Sequence, residues 1–498
     1  LSVSSIVFDG NTTFRGNFAS IGGGAVGAAQ TSISGASSDG EVVFANNLTG
    51  AGGALWVENS SVSWNGKATL AHNRAYNGDG GALWVSFGSS VSWSGDSTFF
   101  NNSVGGLGGA LALSASSATF DGNTIFYGNT AEFGGAVHAF KSSVSWDGDA
   151  EFANNVASDG GALLATSSIV TWSGNTTLAH NRAYIGSGGA LWLNHGSRVS
   201  WSGASMFYNN SAVGFGGAAV ATGDSNLYWS GNTTFLSCAA LSGSALFVLN
   251  GSAAEWSGRT EFIFNNALIS GGAVGSSFVS EGFNPQTSTL VINGSTSFAN
   301  NTAGSTGGGM ALNGMLHVTF QSPEVLFIGN SADVVGGAVF GTSFGVGPVF
   351  STVRFVANFA EAGGGAYVTG SGNENLNDFE STPVHPTKFD GCQFVDNRAT
   401  TTGGALESSA GHDHISNTSF KGNTAAIGGA LRLGGRTFLD NCSFVDNRSG
   451  EGAGPAVDNI GSVGRIANSL FVGNVFDCQR GTYLDFNEVS SRLYQVVF

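Results

Sequence analysis

Apolar and polar residues alternate in short runs along nearly the whole chain, and the runs return in a fixed order. Residues 143–164, SVSWDGDAEFANNVASDGGALL, give one complete unit of the pattern. It holds three runs: Val144-Ser145-Trp146, Glu151-Phe152-Ala153 and Ala162-Leu163-Leu164. Period-two alternation predicts strands, and the intervening Asp-Gly, Asn-Asn and Gly-Gly clusters predict turns.

Three markers trace the unit through the chain. The first is Gly-Gly-Ala followed by an apolar residue, at Gly23-Gly24-Ala25, Gly52-Gly53-Ala54, Gly134-Gly135-Ala136, Gly160-Gly161-Ala162, Gly364-Gly365-Ala366 and eight further places, with degenerate copies such as Gly308-Gly309-Met310. The second is an aromatic residue or Leu three positions before an Asn. It ends at Asn17, Asn47, Asn73, Asn102, Asn129, Asn155, Asn181 and Asn210, then at Asn266, Asn301, Asn330, Asn358, Asn397, Asn423, Asn447 and Asn474, with Cys238 taking the slot once. The third is Val-x-Trp-x-Gly around Trp64, Trp93, Trp146, Trp172, Trp201, Trp229 and Trp256, with Phe8, Phe120 and Phe320 as substitutes.

Three strands per coil, always in one order, stack as parallel rungs. The expected fold is all-β: a right-handed, three-sided parallel β-helix of about 16–17 coils, because parallel crossovers favour that hand. At strand spacing the stack would be a rod of about 80 Å. Trp, Phe and Leu would form inward ladders. The Asn column would form an amide ladder at a corner, and Gly would turn another corner. A single β-helix is expected over residues 1–498, with regular Trp-rich coils over 1–274 and diverged coils over 275–498. The diverged part carries insertions at 275–288 and 370–388. They read either as a lip on a binding face or as tolerated surface loops. Residues 69–76 recur at 177–184, an offset of 108 residues, which reads as duplication of a four-coil block.

Composition sharpens this picture. Gly is 79 of 498 residues, Pro only 6, and charged residues are 10%. That fits buried strands joined by tight turns, not a disordered chain. A net charge of −16 argues against nucleic acid as a partner. No run of 18 apolar residues predicts a membrane-spanning helix. The chain starts at Leu1, so it reads as a mature form or part of something longer.

The pairing of GGA-[ILV] with F-x-x-N, alternating for about sixteen copies, resembles the repeat of the polymorphic outer-membrane protein family and related right-handed β-helix surface proteins. The resemblance implies a secreted β-helix with adhesive or surface-structural roles. The chain departs from the bacterial members in showing no C-terminal set of about ten-residue alternating strands for a membrane barrel. The Val-Ser-Trp-Ser-Gly element also lies outside the family signature.

Candidate chemistry is sparse. Thirteen Asn-x-Ser/Thr sequons fit an extracellular glycoprotein, although a chain this rich in Asn, Ser and Thr carries several by chance. Asn47 and Asn447 fall in the inward column. Asn11, Asn59, Asn175, Asn232, Asn250 and Asn293 fall in turns and are the expected glycan sites. Trp56, Trp84 and Trp192 alternate with Leu and Val; if the aliphatic set faces in, these Trp face out as a glycan-stacking or lateral contact surface, continued imperfectly by Phe247. The opposite phase would put them in the core. His412-Asp413-His414 has two His on one strand face but no third ligand, so no metal site, cofactor or catalytic residue is expected there. Glu374, Asp378 and Glu380 are the densest acidic cluster, on an inserted loop. Cys392 and Cys442 lie two coils apart, too far for a disulfide.

The expected function is an extracellular or cell-surface structural or adhesive β-helix without catalysis, glycosylated, and a subunit of a surface fibre or filament. Its partners would be copies of itself, end to end or laterally, and surface or matrix glycans. The alternative is a carbohydrate-active β-helix enzyme, a polysaccharide lyase or hydrolase, which needs clustered carboxylates or a basic residue beside them.

Overall fold

The computed structural model describes residues 4–8, 10–35, 40–276, 287–312, 316–322, 324–343, 349–370, 387–409, 412–434, 436–450, 453–459, 465–476 and 494–497. They form an all-β parallel β-solenoid of about 15 turns. The chain groups into two compact units, Leu1–Ala240 with Gly251–Ala254, and Leu241–Asn250 with Glu255–Phe498.

In the first unit, the coil that starts at Ser143 contains strands Ser143–Trp146, Ala150–Ala153, Val156–Ala157 and Leu163–Thr166. The two-residue strand after the ladder Asn is one the alternation pattern is too short to reveal. Every strand pairs in parallel with its counterpart one coil on, and like meets like: Trp146 with Trp172, Phe152 with Leu178, Leu163 with Leu191. Trp146, Phe152 and Leu163 are all fully buried. Rings stack along the column at strand spacing, with centroids 5.0 Å apart for Trp146–Trp172 and 4.8 Å for Trp172–Trp201. Across one coil the contact is edge-to-face, Trp146 on Phe152 at 5.4 Å and 81°. Both arrangements suit the ring quadrupole.

The Asn column is a buried ladder. Asn155 Oδ1 accepts the backbone N–H and the Nδ2 of Asn129, both at 3.0 Å. Its own Nδ2 donates to the Phe126 carbonyl at 2.9 Å and to Asn181 Oδ1 at 3.0 Å. All four hydrogen-bonding positions of the amide are filled. The residue just before each ladder Asn bends the chain with a left-handed φ, for example Asn154 at 56° and His180 at 57°. In the first unit the ladder ends on Cys238, whose sulfur takes the backbone and side-chain donors of Asn210.

At the opposite turn, Gly134 adopts φ +63°, and a Cβ on Gly135 would lie 2.1 Å from the Gly161 carbonyl oxygen. The first Gly is there for conformation, the second for close backbone approach. A further corner carries a ladder that the sequence reading missed. Ser142 N–H donates to Ser168 Oγ at 3.0 Å, and Ser168 N–H to Ser197 Oγ at 3.2 Å. Its signal was the Ser immediately before each x-Val-x-Trp run, as at Ser142, Ser168 and Ser197.

The second unit repeats this plan, with Phe320, Phe350 and Phe389 in the column that Trp fills in the first; Phe350 stacks on Phe389 at 4.8 Å. The Phe column continues beside it, Phe298 on Phe327 at 4.4 Å and Phe355 on Phe394 at 4.5 Å. Its Asn ladder corrects one expectation. Asn265, not Asn266, is the buried rung and bonds to Asn301 Oδ1, while Asn266 is exposed at the start of the strand Asn266–Ser270. Two Gly-Gly-Ala assignments were one residue late. Gly307 and Gly363 hold the positive φ, so Gly309 and Gly365 fill the Ala slot, and Met310 and Ala366 fill the first strand position. Phe247 is a further correction. It is fully buried, its ring lying where a Cβ on Gly243 or Gly275 would be, and it continues no exposed row.

Candidate functional surfaces

Outward-facing side chains of the Phe-bearing strands form an aromatic face on the first unit. Phe100 and Tyr127 stack at 5.6 Å, with the exposed Ile125 beside them. His72 meets Phe100 edge-on at 5.2 Å. One duplicated block further on, His180 meets Tyr208 edge-on at 5.0 Å, with Met206 exposed alongside. The duplication therefore copied an outer patch as well as core rungs. A second exposed apolar set lies in the segments between the ladder Asn and the Gly-Gly corner: Phe18, Ile21, Tyr184, Ile185 and Val213 in the first unit, and Leu268, Ile269, Val334 and Phe359 in the second.

Trp56, Trp84 and Trp192 alternate with the buried Leu55, Leu83 and Leu191, so they project away from the core, but each is only half-exposed. Gly22 lies against the Trp56 ring, and the indole N–H groups of Trp56 and Trp192 are buried without a hydrogen-bond partner. The same column holds Ala112, His138 and Leu164, all buried. It makes a shallow second layer outside the core. Burial there pushes the His138 pKa down to about 4.

Among the sequons, Asn11, Asn59, Asn175 and Asn232 are exposed, whereas Asn250 and Asn293 are half-buried. Asn11 Oδ1 accepts the Glu41 N–H at 2.9 Å, and Asn175 Oδ1 accepts the Ala204 N–H at 3.2 Å. Those bonds engage the oxygen only. Asn293 instead donates its Nδ2 to Glu255 Oε1 at 2.9 Å, so the nitrogen that a glycan would take is engaged. Asn47 and Asn447 are buried ladder rungs. Asn101, Asn209 and Asn300 also begin sequons, and each is exposed with a left-handed φ.

The strand His412–Ser416 splits the His-Asp-His run: Asp413 points into the core and His414 is exposed. Ile415 fills the aromatic column between Phe389 and Leu439. Glu374, Asp378 and Glu380 lie outside the described residues, as does Cys478. Among the described residues, no three His, Cys, Asp or Glu side chains gather as a metal-binding group. Cys238, Cys392 and Cys442 are free and buried, with Thr418 on the rung between the last two. Burial pushes the thiols of Cys238 and Cys392 up to about 12 and that of Cys442 to about 11, where the reactive thiolate is scarce.

Parallel in-register coils, stacked aromatic columns and side-chain ladders at the corners define a β-solenoid repeat protein. No family model, curated protein or solved structure matches the chain.

Proposed function

We propose that this chain is an extracellular or cell-surface β-helix of the kind that carries the GGA-[ILV]/F-x-x-N repeat, acting as a structural or adhesive protein without catalysis. The observation that carries this reading is the outward aromatic face at Phe100–Tyr127 with its duplicate at Tyr208. Aromatic rings spaced by one coil on a regular sheet face offer the stacking surface that sugar rings use. The exposed turn residues Asn11, Asn59 and Asn175 suit N-glycosylation of the outer surface. The exposed apolar set beside the Asn corner supports lateral packing between copies, since such patches mark interaction sites.

Glycan-array binding of the intact chain and of the variant Phe100→Ser/Tyr127→Ser/Tyr208→Ser tests the adhesive role. The wild type should retain a restricted set of glycans that the variant loses by tenfold or more, with Tm unchanged. Shortening of a bound polysaccharide would instead establish the lyase or hydrolase alternative. Intact-mass measurement of secreted protein tests glycosylation: added mass should map to Asn11, Asn59, Asn175 or Asn232 before Asn293.

A further inference from the structure

Three consecutive rungs of the second unit break the apolar rule of their column. The column that faces inward two residues before the aromatic rung holds Val62, Val91, Val144, Val170 and Val199 in the first unit, and Leu290 and Val318 in the second. It then reads Thr387, Asp413, Thr437, paired directly rung on rung. All three are buried, between 1% and 3% exposed. Ser408, buried at 2%, lies beside Asp413 at the preceding corner.

The three column residues are not accounted for by the protein around them. Thr387 Oγ1, Thr437 Oγ1 and both Asp413 carboxylate oxygens lack a well-formed hydrogen bond. The Ser408 hydroxyl offsets only part of the cost of burying the carboxylate. Thr has nearly the shape of Val, so a Val column that becomes Thr above and below an Asp has gained oxygens without gaining volume. An unmatched hydroxyl costs about 1–3 kcal/mol and an unmatched charge more. Among the described side chains of these strands, Lys388, Asp390, His414 and Asp440 all alternate to the outside.

We propose that Thr387, Asp413, Thr437 and Ser408 form an internal oxygen site that holds one desolvated monovalent cation of the sodium class. Hard cations take all-oxygen surroundings from carboxylates, hydroxyls and carbonyls. A single carboxylate neutralises a monovalent ion, whereas a divalent ion would leave a buried positive charge. A bound ion would also explain why the two Thr hydroxyls sit on the rungs either side of the carboxylate without hydrogen-bonding it.

Thermal unfolding of the full chain at pH 8 tests the site, comparing sodium chloride with choline chloride at equal ionic strength. Sodium should raise Tm by about 3 °C at saturation. ²³Na line broadening should accompany it. Asp413→Asn should abolish both effects. Thr437→Val, which keeps the carboxylate and the shape, should weaken sodium binding several-fold and gives the answer should Asp413→Asn fail to fold. Equal Tm in sodium and choline would overturn the proposal, as would a sodium increment that persists in Asp413→Asn. A larger increment from calcium than from sodium would overturn the monovalent assignment.

Discussion

Asn155 shows why this sequence spends an amide on every coil. Its side chain closes four hydrogen bonds that reach the coils on either side, two of them through the backbone. Asn155→Ala would strand the N–H and Nδ2 of Asn129 and the carbonyl of Phe126 inside the core. The expected loss is about 3 kcal/mol or more, read as a lowered midpoint in denaturant. Asp413 gives the opposite lesson, a polar side chain whose protein partners are incomplete. Burial raises its pKa from 3.8 to about 7. The folded state therefore binds the proton more tightly than the unfolded state. In sodium-free buffer the associated stability is full below about pH 3.8 and is lost as pH rises through about 7. The swing is about 4 kcal/mol. His138 acts in the other direction, since its folded pKa of about 4 lies below its ordinary 6.5 and stability falls as acid drives the pH between them. Comparing wild type with Asp413→Asn at each pH isolates the carboxylate: the stability of the wild type relative to the variant should fall between about pH 4 and pH 7 and level off above pH 7.

At the scale of the element, each coil is held by corners more than by strands. The described strands are two to five residues long except Arg465–Val472, too short to persist alone. Their register is fixed by the Asn ladder, the Ser ladder and the Gly-Gly turn. Gly135 illustrates how tight that fixing is, because its Cα packs against the next coil's backbone with no room for a methyl. Gly135→Ala should therefore cost more than the roughly 1 kcal/mol of an ordinary Gly substitution, and should open the corner locally. Hydrogen exchange checks it: protection should fall at Val137–Phe140 and Leu163–Thr166 before it falls at distant rungs.

For the whole molecule, a solenoid's stability is close to a sum of coil terms and nearest-neighbour terms. All ten Trp lie at or before Trp256, so Trp fluorescence reports mainly on the Trp-rich coils, while far-UV circular dichroism reports on all strands. A ladder truncation in the Phe-rich coils, Asn397→Ala, should lower the circular-dichroism midpoint more than the fluorescence midpoint. Coincident shifts would mean that the chain melts as one cooperative body. The net charge of −16 is spread over few residues, and the described ion pairs are only Arg259–Glu261 at 2.7 Å and Arg432–Glu407 at 3.6 Å. Such pairs contribute little, so interior ladders carry the fold.

The sequence by itself determined the period, the strand order, the parallel stacking and the identity of most inward columns. It could do so because a β-solenoid repeats the same local environment, so Trp146, Phe152, Asn155 and Leu163 return wherever their slots return. Only the tertiary structure decided register where a slot had two adjacent claimants. Asn265 and Asn266 are equally good Asn residues locally, and the amide that reaches Asn301 is chosen by the neighbouring coil. Three glycines in a row at Gly363-Gly364-Gly365 are likewise ambiguous until the stacked backbone assigns the positive φ to the first. Exposure was equally out of reach. The half-covered Trp56 and the buried Phe247 depend on glycines from neighbouring segments that lie against their rings. Asp413 was visible as an acidic residue between two His, but its place inside the coil, between two Thr on other rungs, follows from stacking segments about 25 residues apart. Alternation along one strand fixes which side chains share a face; which face looks inward, and what lies one rung above, is set by contacts that exist only after the coils stack.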